Sequence, residues 1–412
     1  MRRPHYAWVV SLGGALSLFT IIGLGINIFS VYQPYIIAQN NFTNAQGSLI
    51  TTVRSLFILA AMMSVNQLCA RFGLRRVMTF GMGLMTLSCI CFGLARSFPV
   101  YCLAGALTGL AYGYGGMVPL SLLIGHWFQS RRSFALGLAS AGSGVSTIFA
   151  PQLVTGMIQK YGMQAAFLAE AGFVLAMTVL VWLLVRSTPE ELGLEPYRTG
   201  DTDSSVSLSS HAPEGMTRSL SIALLFAAFL TGAPGGPGFS HLTVLYTSSG
   251  YDSMSIASFL SFLGVMICVG KVVCGQIYDS LGGVRGNYYT FGCFFIAFLL
   301  CCTAPAGVQL LPYAAMLLFG LGIPISNVSF AVWATDLFGE EGYQSAVRSF
   351  TVAFALGMLL FGPLPGLLAD SFGSYIPAYL LFAGTLLVSM LIVQLAYRKL
   401  NVGHRPKTAA KS

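Results

Sequence analysis

Charged residues are scarce in this sequence: they occupy 8% of its 412 positions, whereas hydrophobic residues occupy 55%. Soluble globular proteins carry about 25% charged residues. The scarcity therefore excludes an ordinary water-soluble domain and indicates a polytopic membrane protein.

The sequence also lacks the short motifs of several common chemistries. It has no Gly-x-x-x-x-Gly-Lys-Ser/Thr motif for nucleotide phosphates, no His-Glu-x-x-His motif for zinc and no Gly-x-Ser-x-Gly nucleophile elbow. Its histidines lie far apart, and all nine cysteines lie inside apolar stretches, which indicates neither a metal site nor a disulfide framework. We therefore expect no enzyme activity, no cofactor and no bound metal.

Long apolar stretches make up most of the chain. A transmembrane helix needs about 20 consecutive apolar residues, and twelve stretches come close to or exceed that length. They lie at 7–33, 47–69, 77–96, 100–127, 134–158, 164–186, 219–247, 254–278, 288–305, 310–334, 347–368 and 375–397. The sequence thus predicts an all-α polytopic membrane protein with twelve transmembrane helices.

The basic residues orient these predicted helices. If the N-terminus is cytoplasmic, every Arg and Lys apart from Arg54, Arg96, Lys160 and Lys271 falls on the cytoplasmic side. This is the distribution that the positive-inside rule requires. We predict cytoplasmic N- and C-termini, and we attribute the net charge of +8 to this topology and to the lipid bilayer rather than to nucleic acid.

One long polar stretch divides the predicted helices into two groups of six. It covers residues 187–218 and has the composition of a cytoplasmic linker. The two groups echo each other, because the sequence around Gly73 matches that around Gly282 and "RRSF" at 131–134 matches "VRSF" at 347–350. Repeated halves of this kind place a substrate site at their interface. We predict an N-terminal bundle at 1–186, the linker at 187–218, a C-terminal bundle at 219–397 and a cytoplasmic tail at 398–412.

The matching loops carry a known signature. The first copy contains Arg71, Gly73, Arg75 and Arg76, and the second contains Gly275, Asp279 and Gly282. Both are similar to the Gly-x-x-x-Asp-Arg-x-Gly-x-Arg-Arg motif of the major facilitator superfamily, although Asn66 and Ala70 replace the first Gly and the Asp. The resemblance covers essentially the whole chain and implies two pseudo-symmetric six-helix halves. It also implies a conformational latch formed by Arg71, Gly73, Arg75, Gly275, Asp279 and Gly282.

Four further segments narrow the resemblance. They are "HWFQSRRSFALGLASAGSGVSTIFAPQL" at 126–153, "STPEELGLEPY" at 187–197, "GKVVCGQIYDSLGG" at 270–283 and "TDLFG" at 335–339. Together they are similar to the monocarboxylate transporters and their oxalate/formate antiporter-like neighbours. This resemblance implies the transport of small organic anions.

Lys271 is the residue on which this implication depends. In that branch the position is usually an arginine that pairs with the substrate carboxylate, and lysine keeps the charge without the bidentate fork. An acidic residue that animal members carry one turn earlier is replaced by Ile267. Lys271 shares a helical face with the small residues Gly264, Cys268 and Gly275, and such a face suits protein or a cavity better than lipid. The alternative is that Lys271 snorkels to the cytoplasmic surface, about 10 Å away.

Two other ionisable residues lie within predicted helices. Arg54 lies about two turns inside the second helix, where it either lines the cavity or snorkels to the outer surface. Glu170 lies in the sixth helix, which is peripheral in the superfamily, and close to its outer end. If Glu170 is buried, it becomes a candidate proton carrier.

Uncharged and weakly basic side chains complete the candidate set. His241 follows "TGAPGGPGFS", whose prolines and glycines must interrupt the seventh helix, and broken helices expose backbone groups at transport sites. The alternative for His241 is a wetted position at the outer mouth. Tyr32, Tyr112, Tyr114 and Asn327 are hydrogen-bond donors that either orient a carboxylate or pack. The predicted substrate-binding residues are Lys271, Tyr32, Tyr112, Tyr114, His241, Asn327 and Arg54.

Glycine strings in the fourth and fifth predicted helices have a structural interpretation. They consist of Gly105, Gly109, Gly113 and Gly116 in one helix and of Gly137, Gly142 and Gly144 in the next. Residues without a large side chain let helix backbones approach closely. We expect such close approaches in these helices, because the rocking of the two six-helix halves during transport requires them.

Taken together, these patterns predict a secondary active carrier of small organic anions, monocarboxylates first, that works by alternating access. Proton symport and anion exchange are both compatible with the sequence. The alternatives are a superfamily carrier for dicarboxylates or another solute, and a non-transporting membrane sensor of the same fold. One cation in the cavity favours a monocarboxylate, and two favour a dicarboxylate. Whether substrate binding involves Arg54 as well as Lys271 therefore distinguishes the two substrate classes. We expect a monomer in a bacterial inner membrane, with a small carboxylate and protons or a counter-anion as partners.

Overall fold

The structure is a computed structural model that describes residues 5–129, 132–198, 216–326 and 328–402, without the side chains of 132–134 and 340. Within these residues, nine helices are long and apolar enough to cross a membrane, or ten if one bent pair counts as a span. Helices suit such sequences because each satisfies its own backbone hydrogen bonds in lipid. The predicted all-α membrane fold is therefore confirmed.

Some predictions fall outside the described residues. Asn327, one of the candidate substrate partners, is among them. So are residues 199–215 of the linker and 403–412 of the tail. The roles assigned to these residues from sequence therefore stay predictions.

Six helices precede the linker. They are α1 (Tyr6–Asn40), α2 (Asn44–Phe72), α3 (Leu74–Leu94), α4 (Phe98–Trp127), α5 (132–161) and α6 (Met163–Leu184). The first extends beyond its predicted end at residue 33, because its polar last turns remain helical until Asn41 adopts a left-handed φ of 51°. Apolar runs therefore located the helices but not the residues at which they end.

Six more helices follow the linker. The long run Ser253–Cys301 is broken at Gly282, whose φ is 80°. A second long run, Val328–Phe361, is broken at Gly339, whose φ is 65°. With these breaks, the helices are α7 (Arg218–Gly238, continued by Leu242–Ser248), α8 (253–281), α9 (283–301), α10 (Leu310–Ser326 and Val328–Gly339), α11 (Glu341–Phe372) and α12 (Ile376–Lys399). Divided in this way, the described residues form twelve helices.

The two loops that match in sequence also match in backbone conformation. Gly73 separates α2 from α3 with a φ of 85°, and Gly282 separates α8 from α9 with a φ of 80°. Residues with a side chain rarely adopt this region, whereas glycine does so at little cost. The same sharp turn thus recurs at corresponding places of the internal repeat.

The chain forms two compact units. The first contains Met1–Phe42 and Leu49–Ser204, and the second contains Thr43–Ser48 and Ser205–Ser412. In the first unit, the linker residue Tyr197 donates its N–H to the Trp127 carbonyl at 2.8 Å. This hydrogen bond attaches the start of the predicted linker to the end of α4.

Glycines bring helices of the first unit into direct backbone contact. A Cβ on Gly109 of α4 would collide with the Arg54 carbonyl oxygen of α2, and one on Gly113 would collide with the same helix. On α5, Gly142 abuts the backbone of α1, whereas Gly137 has open space around it. The predicted close approach is therefore confirmed for these α4 positions and for one position of the α5 string.

The second unit combines an aromatic core with a buried polar network. Phe294, Phe298 and Phe319 pack edge to face or tilted, with ring centroids 4.9 to 5.3 Å apart. Elsewhere in this unit, the Asn287 side-chain oxygen accepts hydrogen bonds from the Trp333 indole at 2.7 Å and from the Tyr278 hydroxyl at 2.8 Å. These contacts join α8, α9 and α10.

The segment Thr43–Ser48, the first turn of α2, belongs to the second unit. The Asp370 carboxylate accepts hydrogen bonds from the backbone N–H groups of Asn44 and Ala45 at 3.0 and 2.8 Å. The Tyr375 hydroxyl donates to the Asn44 side-chain oxygen at 2.8 Å. Asp370 of α11 thus adds acceptors for the first turn of α2, whose local cap is Thr43, with its Oγ1 accepting from the Gln46 N–H at 3.1 Å.

Candidate substrate site

Lys271 lies on α8, inside the second unit. Its side chain is half-buried, and it forms no hydrogen bond or ion pair with any residue that the structure describes. A lysine inside a membrane helix normally faces a cavity or pairs with another group, because its charge is costly in lipid. Lys271 is therefore a cation with the capacity to bind an anion.

The two sides of α8 near Lys271 differ in their packing. Gly270 abuts the backbone of Gly320 on α10, which fixes the helix within its unit. Gly275, on the predicted small-residue face, has no atom within 4 Å of where a Cβ would lie. The face that carries Lys271 is open at this point, as either an anion site or a snorkelling lysine requires.

His241 lies at the break in α7, where Pro234–Gly238 forms a π-helical segment. The predicted interruption of this helix is therefore confirmed. The His241 side chain is 0% exposed, with Nδ1 2.8 Å from the Pro237 carbonyl oxygen and Nε2 2.8 Å from Ser48 Oγ. Because a carbonyl oxygen only accepts, Nδ1 carries a proton. The burial of the ring favours an interior position for His241 over a wetted position at the outer mouth.

Arg54 lies on α2, inside the first unit, and is also buried. Its guanidinium carbon is 5.3 Å from the centroid of the Phe29 ring on α1, a cation–π geometry. At 4% exposure the side chain is in contact with protein rather than with the headgroups. This placement favours an interior position for Arg54 over snorkelling.

Tyr32 is directed toward α6 in the first unit. Its hydroxyl donates to Glu170 Oε2 at 2.8 Å, and its ring stacks on Phe167 at 3.7 Å between centroids. Glu170 is 9% exposed and Tyr32 is 1% exposed. The structure thus brings together two residues that the sequence placed in separate roles.

The remaining tyrosines of the predicted set contact unit 1 residues. Tyr112 packs against the hydrophobic core of the unit. The Tyr114 hydroxyl lies 3.1 Å from Ser64 Oγ, which makes one hydrogen bond between α4 and α2. Both side chains are half-buried, so a substrate role for them stays a prediction.

Gln33 is a candidate that sequence reasoning missed. It is 1% exposed, and neither its amide nitrogen nor its amide oxygen has a hydrogen-bond partner among the described residues. It follows Phe29 by one helical turn on α1, so it lies on the side of α1 that faces Arg54. Buried amides are normally satisfied, and an uncharged glutamine beside Pro34 gave no periodic signal that would have identified it.

The predicted latch residues are dispersed over the two repeated loops. Arg75 donates from Nε to the Trp182 carbonyl at 2.9 Å, and its guanidinium lies 3.9 Å from the Trp182 ring centroid. Arg71 and Asp279 are exposed. Their role as a latch stays a prediction, whereas Arg75 is seen to attach α3 to the end of α6.

The sequence profile of the Major Facilitator Superfamily matches residues 15–360 of this chain. Among the relatives, monocarboxylate transporter 12 of Xenopus laevis is 25% identical over 328 residues, which are 72% of this chain and 68% of that protein. Monocarboxylate transporter 13 of Bos taurus is 23% identical, with 93% and 87% coverage. The chain spans about two thirds of the length of the transporter 12 relatives.

Solved structures show the same fold at lower identity. A nucleoside transporter superposes with a TM-score of 0.73 and 10% identity, covering 94% of this chain and all 100% of its own length. The profile covers well over half of the chain, and the helical architecture agrees with it. The chain therefore belongs to the Major Facilitator Superfamily.

Proposed function

We propose that the chain is a secondary carrier of small organic anions, with monocarboxylates as the first substrate class, and that it is not an enzyme. The observation that carries the proposal is Lys271. It is a half-buried cation in a membrane helix, lies on an unpacked face, and has no anionic partner in the described part of the chain.

The physical argument concerns compensation of charge. An isolated ammonium group inside the membrane has a high free energy. A bound carboxylate lowers this free energy because it neutralises the charge of the ammonium group. A single lysine matches a single carboxylate. The neutral pair then passes through the apolar interior more readily than either ion, which makes anion binding a natural trigger for closure of the site.

The relatives support the same substrate class. Two of the relatives are named as monocarboxylate transporters, and one of them matches 93% of this chain. Their identity of about a quarter is compatible with a shared type of substrate without specifying the compound. Substitution of lysine for the arginine usual in that branch keeps the charge but loses the bidentate geometry.

A dicarboxylate is the second candidate, and Arg54 favours it. Arg54 is buried against Phe29, so it is a second interior cation. The buried amide of Gln33, one turn from Phe29, supplies a donor for a further carboxylate oxygen. If uptake depends on Arg54 as well as on Lys271, the substrate is a dicarboxylate.

The transport cycle that we propose is alternating access. No nucleotide-binding motif is present in the sequence, so the driving force is the gradient of a proton or of an exchanged anion. His241, Tyr112 and Tyr114 supply neutral or titratable polar groups for orienting the substrate. We place the protein in a bacterial inner membrane as a monomer with cytoplasmic termini.

A thermal-shift panel tests the proposal. Purified protein is heated with L-lactate, pyruvate, succinate, a sugar and an amine, for wild type, Lys271→Ala and Lys160→Ala. A ligand at 100 times its Kd stabilises by about 2.7 kcal/mol. We expect lactate or pyruvate to raise the melting temperature of wild type and Lys160→Ala but not that of Lys271→Ala.

Three outcomes of the panel are decisive. A shift that depends on Lys271 alone supports a monocarboxylate carrier. A shift by succinate that is lost both in Lys271→Ala and in one further variant, Arg54→Gln, which removes the second charge, supports the dicarboxylate carrier. Equal shifts in wild type and Lys271→Ala, or shifts by the sugar or amine only, would show that the lysine is structural and that the anion proposal is wrong.

A further inference from the structure

A carboxyl group is enclosed between helices of the first unit. Glu170 on α6 accepts the Tyr32 hydroxyl at 2.8 Å, and Tyr32 belongs to α1. Both side chains are at least nine-tenths buried. A carboxyl group with one neutral hydrogen-bond partner in apolar surroundings is uncommon, because an uncompensated charge there is costly.

The pair borders a small cavity. Its volume of about 10 Å³ is room for about one water molecule. Glu170, Tyr32, Cys89 and Thr108 line it together with Phe29 and other apolar residues. One water molecule in this space would contact the carboxyl group and would be its partner for proton exchange.

Few other ionisable groups face Glu170. On the packed helices, α1 contributes Tyr32 and α3 contributes Cys89. From α2, Arg54 lies across the Phe29 ring, which also lines the cavity. Helix α5 adds no ionisable group to the lining, and its Lys160 is exposed at the outer end.

We propose that Glu170 and Tyr32 form a buried proton-binding site in the N-terminal helices, distinct from the anion site at Lys271. The carboxylate of Glu170 takes up one proton and becomes a carboxylic acid. No other bond forms or breaks. In the charged form Tyr32 donates its hydroxyl hydrogen to Glu170, and in the neutral form the acid hydrogen can be donated to the Tyr32 oxygen.

The position of Tyr32 connects this proton to the shape of α1. Residues Phe19–Ile28 of that helix are π-helical, and Leu24 and Gly25 from this segment line the same cavity. Such segments interrupt the regular hydrogen-bond ladder and often occur at functional sites. A change in the bond between Tyr32 and Glu170 therefore acts next to the least regular part of α1.

The coupling of this proton to transport rests on the proposed function, whereas the proton site itself does not. If Lys271 binds the anion, proton binding at Glu170 is a separate event on a different unit of the chain. The carrier would then be a proton symporter that binds its two ions at separate residues, Glu170 and Lys271.

Infrared titration of the purified protein in lipid tests the site without any substrate. The carbonyl stretch of carboxylic acids is followed as pH is lowered, for wild type, Glu170→Gln, Tyr32→Phe and the exposed-carboxyl control Glu195→Gln. We expect wild type and Glu195→Gln to share a band that Glu170→Gln lacks. In Tyr32→Phe the band should move to higher frequency, because the acid loses its hydrogen bond.

Each result decides the matter. Identical spectra for wild type and Glu170→Gln would show that Glu170 binds no proton and would overturn the proposal. A band that is absent in Glu170→Gln but unmoved in Tyr32→Phe would overturn the pairing. Tyr32→Phe removes one oxygen only, so it keeps the test open if Glu170→Gln does not fold.

A transport measurement then separates this inference from the proposed function. Pyruvate uptake into proteoliposomes should accelerate with an acid exterior for wild type and lose that acceleration in Glu170→Gln, while the thermal shift by pyruvate persists. If pyruvate binds neither protein, the anion proposal fails and the infrared result still stands. If Glu170→Gln keeps the acceleration, the proton site is not coupled to transport.

Discussion

Two buried glutamines differ in how their amides are satisfied. Gln394 donates from Nε2 to the Val284 carbonyl at 2.9 Å, whereas both amide atoms of Gln33 have no partner among the described residues. An unsatisfied buried polar group costs about 1 to 3 kcal/mol. If the proposed carrier binds a dicarboxylate, a carboxylate oxygen is the partner that we expect for the Gln33 amide.

Replacement of Gln33 by leucine should therefore stabilise the protein while weakening its affinity. We expect Gln33→Leu to raise the free energy of unfolding by about 1 kcal/mol, because the unpaired amide is removed. Binding of a dicarboxylate should weaken by about tenfold, since a hydrogen bond to a charged group contributes about 1.5 kcal/mol or more. Thermal unfolding with and without succinate measures both quantities.

Gln394→Leu is the matched control. It leaves the Val284 carbonyl without its donor, so it should lower stability and leave anion affinity unchanged. If Gln33→Leu is as destabilising as Gln394→Leu, the Gln33 amide has a structural partner and is not reserved for substrate.

Helix packing in the first unit depends on glycine at the places where backbones meet. The Gly109→Ala substitution would put a Cβ against the Arg54 carbonyl oxygen, which cannot move without displacing α2. We expect a loss of about 1 to 3 kcal/mol. Gly83→Ala on α3, where no atom lies within 4 Å, should be neutral or stabilising by about 0.5 kcal/mol. Thermal unfolding of the two variants in one detergent makes the comparison, and equal stability would contradict the close approach.

The start of α8 has a conventional cap with a pH dependence. The Asp252 carboxylate accepts hydrogen bonds from the N–H groups of Ser255 at 2.9 Å and Met254 at 3.1 Å. Hydrogen bonding from Ser255 lowers the pKa of Asp252 below its ordinary value. The stabilisation is therefore present above the unfolded pKa of about 3.9 and is lost as pH falls through the lower folded pKa.

Removal of this cap should have an effect only where the carboxylate is charged. We expect Asp252→Ala to cost about 1 kcal/mol at neutral pH. The difference from wild type should shrink once the pH falls below the folded pKa. Unfolding curves recorded from neutral to acidic pH check this, and a difference that is constant with pH would indicate that the carboxylate is not the cap.

At the scale of the whole molecule, the sequence was sufficient to predict the all-α membrane fold. Apolar runs near 20 residues long specify helices regardless of their neighbours. The turns at Gly73 and Gly282 can also be predicted locally, because the positive φ of each residue is enough by itself to favour glycine. The cytoplasmic location of the linker and of the tail stays a prediction.

The side-chain partnerships were harder to predict from sequence. Tyr32 and Glu170 are separated by 138 residues, and their hydrogen bond arises only after α1 packs on α6. The sequence shows that Glu170 lies near the end of a helix, which favours a peripheral role. It does not show that Tyr32 is the neighbour of Glu170. Gln33 was missed for a related reason, since burial of an amide depends on tertiary packing.

The central claim is that Lys271 binds the substrate carboxylate. Uptake of radiolabelled pyruvate into proteoliposomes tests it most directly, with Lys271→Arg, Lys271→Gln and the exposed control Lys160→Gln compared with wild type. The account predicts saturable uptake by wild type, Lys271→Arg and Lys160→Gln, and at least tenfold weaker uptake by Lys271→Gln, since a charged hydrogen bond contributes about 1.5 kcal/mol or more. Uptake by Lys271→Gln with an unchanged KM and rate would contradict it.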